Sequence, residues 1–330
     1  MLHLRVICPT ERTEQVLGAL ASQRGATHIV VLRDVAVHPA GDMVEADVAR
    51  EAANDVVDAL NELGVAEDGG MTLVPVETVL SAAARKAERD VPGDPADSVV
   101  WEELLSRTRE ESTLNGLFVA FLTIACLLAA IGVVTDSQIT IVGAMVVGPE
   151  FGPLAALAVA LVRRDRRLRR RSILALAVGF PIAMGVTLAA TFVVKFFGWM
   201  DVVSLESLHE VDFVYKVGPI SFVVALLAGA AGMLALVSSK SAALVGVFIS
   251  VTTVPAAGFA VVAAANGEWR IAGLSSLQLA VNLLGIVIAC VLVLWVRTRA
   301  DEEFEAALKG ISRFVDEDDD ADKDDADKSA

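Results

Sequence analysis

The sequence predicts an α-helical membrane protein that crosses the bilayer six times and carries a small α+β domain at its N-terminus. Three observations support this class. Of the 330 residues 55% are hydrophobic, the mean hydropathy is +0.61, and the apolar residues form long blocks instead of an amphipathic pattern. The first such block begins near Leu114, so we expect a cytoplasmic N-terminal region and no cleaved signal peptide.

Residues 1–80 alternate short β-like runs with helical ones. The order of these elements is β-α-β-β-α-β, which is the ferredoxin-like pattern. Because that fold has many unrelated functions, it predicts no particular activity. The predicted strands are Leu2–Cys8, Thr27–Val37, Met43–Val48 and Met71–Val79, and the helices are Thr10–Ser22, capped by Thr10, and Glu51–Leu63, closed by Gly64.

Three histidines in this domain, His3, His28 and His38, raise the question of a metal site. No cysteine or carboxylate spacing typical of a metal site accompanies them, so ordinary surface or core positions are the favoured interpretation. We therefore predict no metal and no cofactor. The sequence also contains no nucleophile–base pair, phosphate-binding loop or paired carboxylates, and we expect no enzymatic activity.

Residues 81–113 connect the N-terminal domain to the apolar region. Val91–Pro95 contains two prolines and a glycine and is predicted to be a semi-stiff linker. From Ser98 to Thr113 the pattern becomes amphipathic, with Val100, Trp101 and Leu104 on one stripe. This helix is predicted to lie along the membrane surface or to pack on the membrane domain.

Residues 114–297 contain the apolar segments, each of about the 20 residues that a helix needs to cross a bilayer. The segments are Leu114–Val134, Ile139–Val162, Ile173–Phe197, Val214–Val237, Ala242–Ala265 and Leu277–Val296. Residues 298–330 form a cytoplasmic tail. It is acidic and of low complexity beyond about residue 315, where we expect disorder.

A basic run separates the second and third segments. Arginines near a span favour the cytoplasmic side, and each contributes about 1 kcal/mol of attraction to anionic lipids. We expect anionic lipids here and no nucleic acid. Both termini are then cytoplasmic, because two crossings precede the run and four follow it. The seven arginines are Arg163, Arg164, Arg166, Arg167, Arg169, Arg170 and Arg171.

The second segment has a motif at its centre that an unbroken helix does not tolerate. Prolines remove backbone donors and clash with the preceding turn, so we predict a broken membrane helix. Irregular backbone at membrane depth occurs only where protein buries it or where it lines a wet cavity. An ionisable residue at such a break is a functional-site hypothesis. The motif comprises Gly148, Pro149, Glu150, Gly152 and Pro153.

The fifth segment is interrupted at the corresponding place by Ser250, Thr252, Thr253 and Pro255. Two such segments predict a 3+3 inverted repeat with a binding site near the bilayer midplane, in which Glu150 faces these hydroxyl groups. The alternative is a pair of kinked helices in a tight bundle. Asn282 in the last segment is predicted either to hydrogen-bond to a broken segment or only to join helices.

A set of short motifs lies in and around the two interrupted segments and the last segment. It comprises Ser137, Val142-Gly143-Ala144-Met145, Pro149, Gly152-Pro153, Pro255 and Asn282. These motifs resemble an uncharacterised hydrophobic-domain family of bacteria and archaea, the domain of unknown function number 389. The resemblance covers residues 98–297 well. It implies a multi-pass protein of the bacterial or archaeal cell (inner) membrane, but it implies no activity.

Two functions from different classes fit these observations. The first is a transporter or channel for a small ion or solute, in which the N-terminal domain regulates or oligomerises a homo-oligomer. The second is a membrane-anchored sensor or scaffold without transport activity. A water-filled cavity that reaches the breaks favours the first, and a dry, fully packed centre favours the second.

Overall fold

The computed structural model describes residues 1–93, 98–198, 219–238 and 253–327. The chain divides into two compact units. One unit comprises residues 1–103 and 296–330, and the other comprises residues 104–295. The predicted site residues Ser250 and Thr252 lie outside the described residues. The first residues of the predicted fourth and fifth segments, up to 218 and 252, lie outside them as well.

The N-terminal part of the first unit is built on an antiparallel sheet with strand order β2-β3-β1-β4. The central strand β1 alternates buried Leu2, Leu4, Val6 and Cys8 with more exposed residues, which is the pattern of a strand with one covered face. The elements in chain order are β1 (Leu2–Cys8), α1 (Thr13–Ser22), β2 (Ala26–Val37), β3 (Ala40–Val48), α2 (Ala53–Glu62), α3 (Val65–Asp68), β4 (Gly70–Pro75) and α4 (Ala82–Asp90).

The core of this unit is formed by one face of β1 and β3 together with α1 and α2. Each large aliphatic side chain buried there contributes roughly 1.5–3 kcal/mol of transfer free energy. The cluster comprises Leu4, Val6, Cys8, Val16, Leu20, Val44, Ala46, Val48, Ala52, Val56, Leu60 and Val65.

The first helix begins at Thr13, later than the predicted start at Thr10, and the Thr10 side chain bonds to a buried carboxylate. Thr10 does not cap α1, because a short 3-10 turn, Thr10–Arg12, precedes the helix. The Thr10 and Thr13 hydroxyls instead donate to Asp42, at 3.3 and 2.7 Å, and the Asp34 backbone N–H donates to it at 2.9 Å. A fully buried carboxylate requires such donors, and this requirement takes precedence over capping.

Beyond β4, the chain forms α4 and then α5 (Trp101–Glu111). The Ser81 side chain caps α4 by accepting hydrogen bonds from the backbone of Ala83 and Ala84. Val100 packs in a small cluster with Leu2 and Ala53, close to the start of α5. Residues 94–97, within the predicted linker, lie outside the described residues.

The apolar region contains four helices that are long and apolar enough to cross a membrane. The bent pair α7–α8 makes a fifth candidate span, and α11 is a shorter apolar helix. The described residues therefore show four to five candidate spans, compared with the six predicted. The helices are α6 (Gly116–Val134), α7 (Gln138–Val147), α8 (Phe151–Val162), α9 (Arg166–Phe196), α10 (Pro219–Val237), α11 (Val254–Ala265) and α12 (Trp269–Asp327).

The basic run between the second and third predicted segments is largely helical. Asp165 accepts hydrogen bonds from the backbone of Arg167, at 2.8 Å, and of Leu168, at 3.1 Å, so that α9 begins at Arg166. All seven arginines are exposed, whereas Leu168 is buried. Asp165 thus caps α9, a role that the surrounding arginines made difficult to recognise in the sequence.

The acidic tail also differs from the prediction. α12 continues to Asp327, whereas disorder was expected from about residue 315. A helix that is already formed can extend without a new nucleation step, and nucleation is the costly part of helix formation.

Candidate functional site

The second apolar segment is interrupted between Val147 and Phe151, at the predicted motif, and the two helices are bent by 51°. Gly148 is extended, with φ −64° and ψ 124°, which ends α7. Pro153 is the third residue of α8, where a backbone N–H has no partner within the helix in any case. The proline that would disrupt a continuous helix is therefore compatible with the first turn of a new one.

α11 begins in a comparable way. Its second residue is Pro255, Thr253 precedes its first turn, and it has 12 residues, the same length as α8. A proline in the first turn is favourable because its φ is already helical. Of the residues predicted to form the second break, Ser250 and Thr252 lie outside the described residues, whereas Thr253 and Pro255 lie within them.

A short hydrogen bond joins the starts of the two helices. The Thr253 hydroxyl donates to Glu150 Oε1 at 2.6 Å, across 103 residues of chain, and both residues are fully buried. Glu150 precedes α8 as Thr253 precedes α11. Each helix N-terminus carries roughly half a positive charge, so the carboxylate lies where two helix dipoles favour an anion.

Small residues allow α11 to pack closely at this site. Val254 clusters with Ala125 and Ala129 of α6 and with Ala144 of α7. A Cβ added at Gly258 would lie 2.6 Å from Ala129 Cβ and 2.9 Å from Ala130 N, so α11 approaches the α6 backbone itself. Close packing of this kind is the main source of helix association where the surroundings are already apolar.

A lysine side chain binds the opposite end of α11. Lys195, near the end of α9, donates from Nζ to the Ala265 carbonyl at 2.8 Å and to Asn266 Oδ1 at 3.1 Å. A positive charge is favourable there, because the last carbonyls of a helix carry a partial negative charge. α11 is thus fixed at both ends by polar contacts to other elements.

A cavity of about 340 Å³ reaches the backbone of the break at Gly148, Pro149, Phe151 and Gly152. Glu150 is not among the lining residues and has no exposed surface. The cavity therefore touches the broken backbone and stops short of the carboxylate. Its remaining lining residues are Glu110, Glu111, Thr113, Asn115, Leu117, Phe118, Phe121 and Leu236.

Glu111 is a site residue that the sequence analysis missed. A Cβ added at Gly152 would lie 2.5 Å from Glu111 Cβ and 3.0 Å from its Oε2, so this glycine is needed for the close approach. Burial raises the pKa of Glu111 above its usual value. Its position at the end of an amphipathic helix gave no sign of this contact, which depends on tertiary structure.

Asn282 lies in a buried polar cluster. It accepts hydrogen bonds from Gln278 Nε2, at 2.9 Å, and from the Ser221 hydroxyl, at 3.4 Å. These contacts join α10 to α12, one of the two predicted roles of Asn282. The other predicted role, a bond to the fifth segment, concerns a segment that the structure describes only in part. Gln278 and Ser221 were not predicted.

Two of the three histidines lie together in the N-terminal unit. His3 Nδ1 and His28 Nδ1 bond to the two oxygens of Asp47, at 2.9 and 2.7 Å, and His28 Nε2 bonds to Ser81 Oγ at 2.8 Å. Burial raises the pKa of Asp47, but the hydrogen bonds from His28 and His3 outweigh it and the net pKa is lowered. Within the described ranges, no group of three His, Cys, Asp or Glu side chains is placed to hold a metal ion.

Comparisons with known proteins agree with the resemblance seen in the sequence. A family model described as a domain of unknown function, DUF389, matches residues 145–288. An uncharacterized protein of Methanocaldococcus jannaschii is 25% identical over 185 residues, which are 56% of this chain and 52% of the relative. The chain thus spans about half the length of that relative, and no solved structure matches. The predicted resemblance is confirmed: residues 145–288, which hold Glu150, Thr253 and Asn282, match the DUF389 family.

Proposed function

We propose that this protein moves a small ion or solute across the membrane, as a transporter or channel, and that its binding site lies at the two broken helices near the bilayer midplane. The observation that carries the proposal is the 2.6 Å hydrogen bond from Thr253 to the fully buried Glu150. It joins two helix starts that are far apart in sequence. Broken helices that meet at membrane depth are the usual setting of transporter binding sites.

Energetics support a functional carboxylate. Burying a charged group costs several kcal/mol after relaxation, so an acid at this depth is retained only with compensation. Thr253 and two helix N-termini supply part of that compensation to Glu150. A proton or a cation that exchanges at this oxygen changes the balance, which is the basis for ion coupling.

The cavity at the first break supports an access route. It provides space for an ion or solute beside the backbone of Gly148, Pro149 and Gly152. The acidic residues Glu110 and Glu111 also line it. Acidic side chains along a passage favour cations over anions. The step from cavity to carboxylate then requires a local movement of the Gly148–Gly152 backbone.

The architecture we propose has six spans in a 3+3 inverted repeat. It is supported by the equal lengths of α8 and α11 and by the proline in the first turn of each. We further propose a ferredoxin-like cytoplasmic domain, supported by the order β2-β3-β1-β4, which acts in regulation or homo-oligomerisation. The exposed arginines that follow α8 and form the start of α9 would then bind anionic lipids on the cytoplasmic side.

Flux measurements on the full chain in liposomes test the transport proposal. We expect Glu150→Gln and Thr253→Val to reduce flux of the transported species by at least about tenfold. Glu150→Gln removes the charge and the exchangeable proton but keeps an acceptor oxygen, whereas Thr253→Val removes the donor of the hydrogen bond. Thr187→Val is the matched control, because this equally buried hydroxyl bonds only within α9, to the Ala183 carbonyl at 2.8 Å. Unchanged flux and pH dependence in both site variants would contradict the proposed site.

A membrane-anchored sensor or scaffold is the second candidate. The observation that favours it is the complete burial of Glu150 and its absence from the cavity lining. In that case Glu150 only holds the break in shape. No flux of any tested ion or solute, together with normal folding of Glu150→Gln, would favour this role over transport.

A further inference from the structure

One side of α12 carries three buried polar side chains, Ser275, Gln278 and Asn282, each with at most 1% of its surface exposed. Their spacing of three and four residues places them along one side of the helix. All three lie within the candidate span Trp269–Arg299. Gln278 and Asn282 bond to Ser221 of α10.

The helices are in close contact beside this polar face. A Cβ added at Gly229 would lie 2.7 Å from the Ile286 carbonyl oxygen, and one added at Gly285 would lie 3.1 Å from the Phe222 ring. Small residues and tight packing therefore already join α10 to α12. The polar groups are not required for that contact.

The hydrogen bonds of the cluster satisfy only some of its atoms. Gln278 Nε2 donates to Asn282 Oδ1 at 2.9 Å and also to Ser221 Oγ. Gln278 Oε1 and Ser275 Oγ are buried and accept or donate no hydrogen bond within the part of the chain that the structure describes. The adjacent Ser276 differs, because it is exposed and its hydroxyl bonds to the Ala272 carbonyl at 2.8 Å.

Burying such atoms without partners destabilises the protein if the cluster only joins two helices. A buried polar atom without a partner costs about 1–3 kcal/mol, whereas an apolar side chain of similar shape costs nothing of this kind. Two such atoms on neighbouring turns of a candidate span favour a bound species that supplies the missing interactions.

We propose that Ser275 and Gln278, supported by Ser221 and Asn282, bind a small monovalent cation at a second site on the pathway. Neutral hydroxyl and amide oxygens are hard ligands, and the absence of carboxylate and sulfur in this cluster suits a singly charged ion better than calcium or a transition metal. The assignment of this site to a pathway rests on the proposed function. The binding itself does not.

Thermal unfolding of the full chain in detergent tests the binding. The melting temperature is measured in lithium, sodium, potassium and choline chlorides at constant ionic strength. We expect one inorganic cation to raise it with increasing concentration, as a ligand that binds only the folded state does. Gln278→Leu should weaken the apparent affinity at least about tenfold, because one oxygen ligand is lost.

Three further variants make the result specific. Ser275→Ala removes one small hydroxyl with little change in packing, and it should also weaken the cation effect. Ser276→Ala, the matched control, should leave it unchanged. The part of the cation effect that Gln278→Leu and Ser275→Ala remove should remain in Glu150→Gln, since Glu150 belongs to the other site.

Two results would overturn the proposal. One is a melting temperature that is the same in the inorganic cations and in choline, since bound water or simple helix contact would then account for the buried atoms. The other is loss of the whole cation effect in Glu150→Gln, which would place the ion at the first site. A cation effect in a protein without measurable flux would support this site and count against the proposed transport, so the two proposals fail separately.

Discussion

Asp42 shows how a single residue organises the N-terminal unit. Its oxygens accept hydrogen bonds from the Asp34 backbone, Thr13 and Thr10, and Arg33 Nη1 lies 3.7 Å from Oδ2. These groups lower the pKa of Asp42, the Asp34 backbone N–H most and Thr13 next, although burial acts in the opposite direction. The carboxylate therefore stabilises the folded unit only while it is ionised.

The pH dependence follows from that sign. Since the folded pKa is below the unfolded value, the contribution of Asp42 is present above about pH 4 and is lost as the pH falls through the folded pKa. We expect Asp42→Asn to increase amide exchange in β1 and β3 at neutral pH and to weaken its further increase on acidification. Hydrogen–deuterium exchange of the full chain, corrected for intrinsic rates, measures this.

Glu14→Gln provides the control. Glu14 forms an exposed ion pair with Arg33 at 2.7 Å, and such pairs contribute little to stability. Its exchange pattern should match the wild type. Equal exchange in the two variants would show that Asp42 has no special role.

At the scale of elements, α11 is the helix whose packing depends most clearly on one glycine. We expect Gly258→Ala to destabilise the protein by about 1–3 kcal/mol, because the new Cβ would overlap Ala129 and the backbone at Ala130. The displacement would also disturb the contact between Thr253 and Glu150. Thermal unfolding in detergent, with flux in liposomes, measures both effects.

Gly143→Ala is the matched control on α7. Apart from the adjoining residues and the backbone of its own helix, a Cβ at Gly143 would have no neighbouring atom of the described residues within 4 Å. Alanine also favours a helix over glycine by about 0.5–1 kcal/mol. This variant should be neutral or slightly stabilised. If both glycine variants behaved alike, the close approach of α11 to α6 would not control stability.

At the scale of the whole molecule, topology is the main prediction. Six crossings with cytoplasmic termini place the arginines at the start of α9 inside the cell. We expect a cysteine at the exposed Arg167 to be protected from an impermeant thiol reagent in intact cells and to react after permeabilisation. Native Cys8, Cys126 and Cys290 are buried and should contribute little labelling.

Labelling of Arg167→Cys from outside would contradict this topology and the inverted repeat together. Protection in both intact and permeabilised cells would instead place the residue in contact with protein or lipid. A second cysteine at the exposed Arg170 tests whether the result belongs to the whole run.

Local chemistry allowed much of the fold to be predicted from the sequence. β1 has the predicted limits, Leu2 and Cys8, because alternation of apolar residues defines a half-buried strand. The interruption between Val147 and Phe151 was predicted because proline and glycine act on their own backbone. The DUF389 resemblance depended on the same short motif.

Only the tertiary structure decided which side chains meet. The partner of Glu150 is Thr253, the partner of Lys195 is the end of α11, and Glu111 lies against Gly152. The two interrupted segments predicted that Glu150 faces the hydroxyl groups of the fifth segment, but not which of them it bonds to. Hydrophobicity and turn signals did not indicate the other two contacts, because they join residues that are distant in sequence. The sequence by itself determined where helices and strands form and break, since those preferences are local. The tertiary structure determined the polar contacts, because each depends on how close two separate backbones approach.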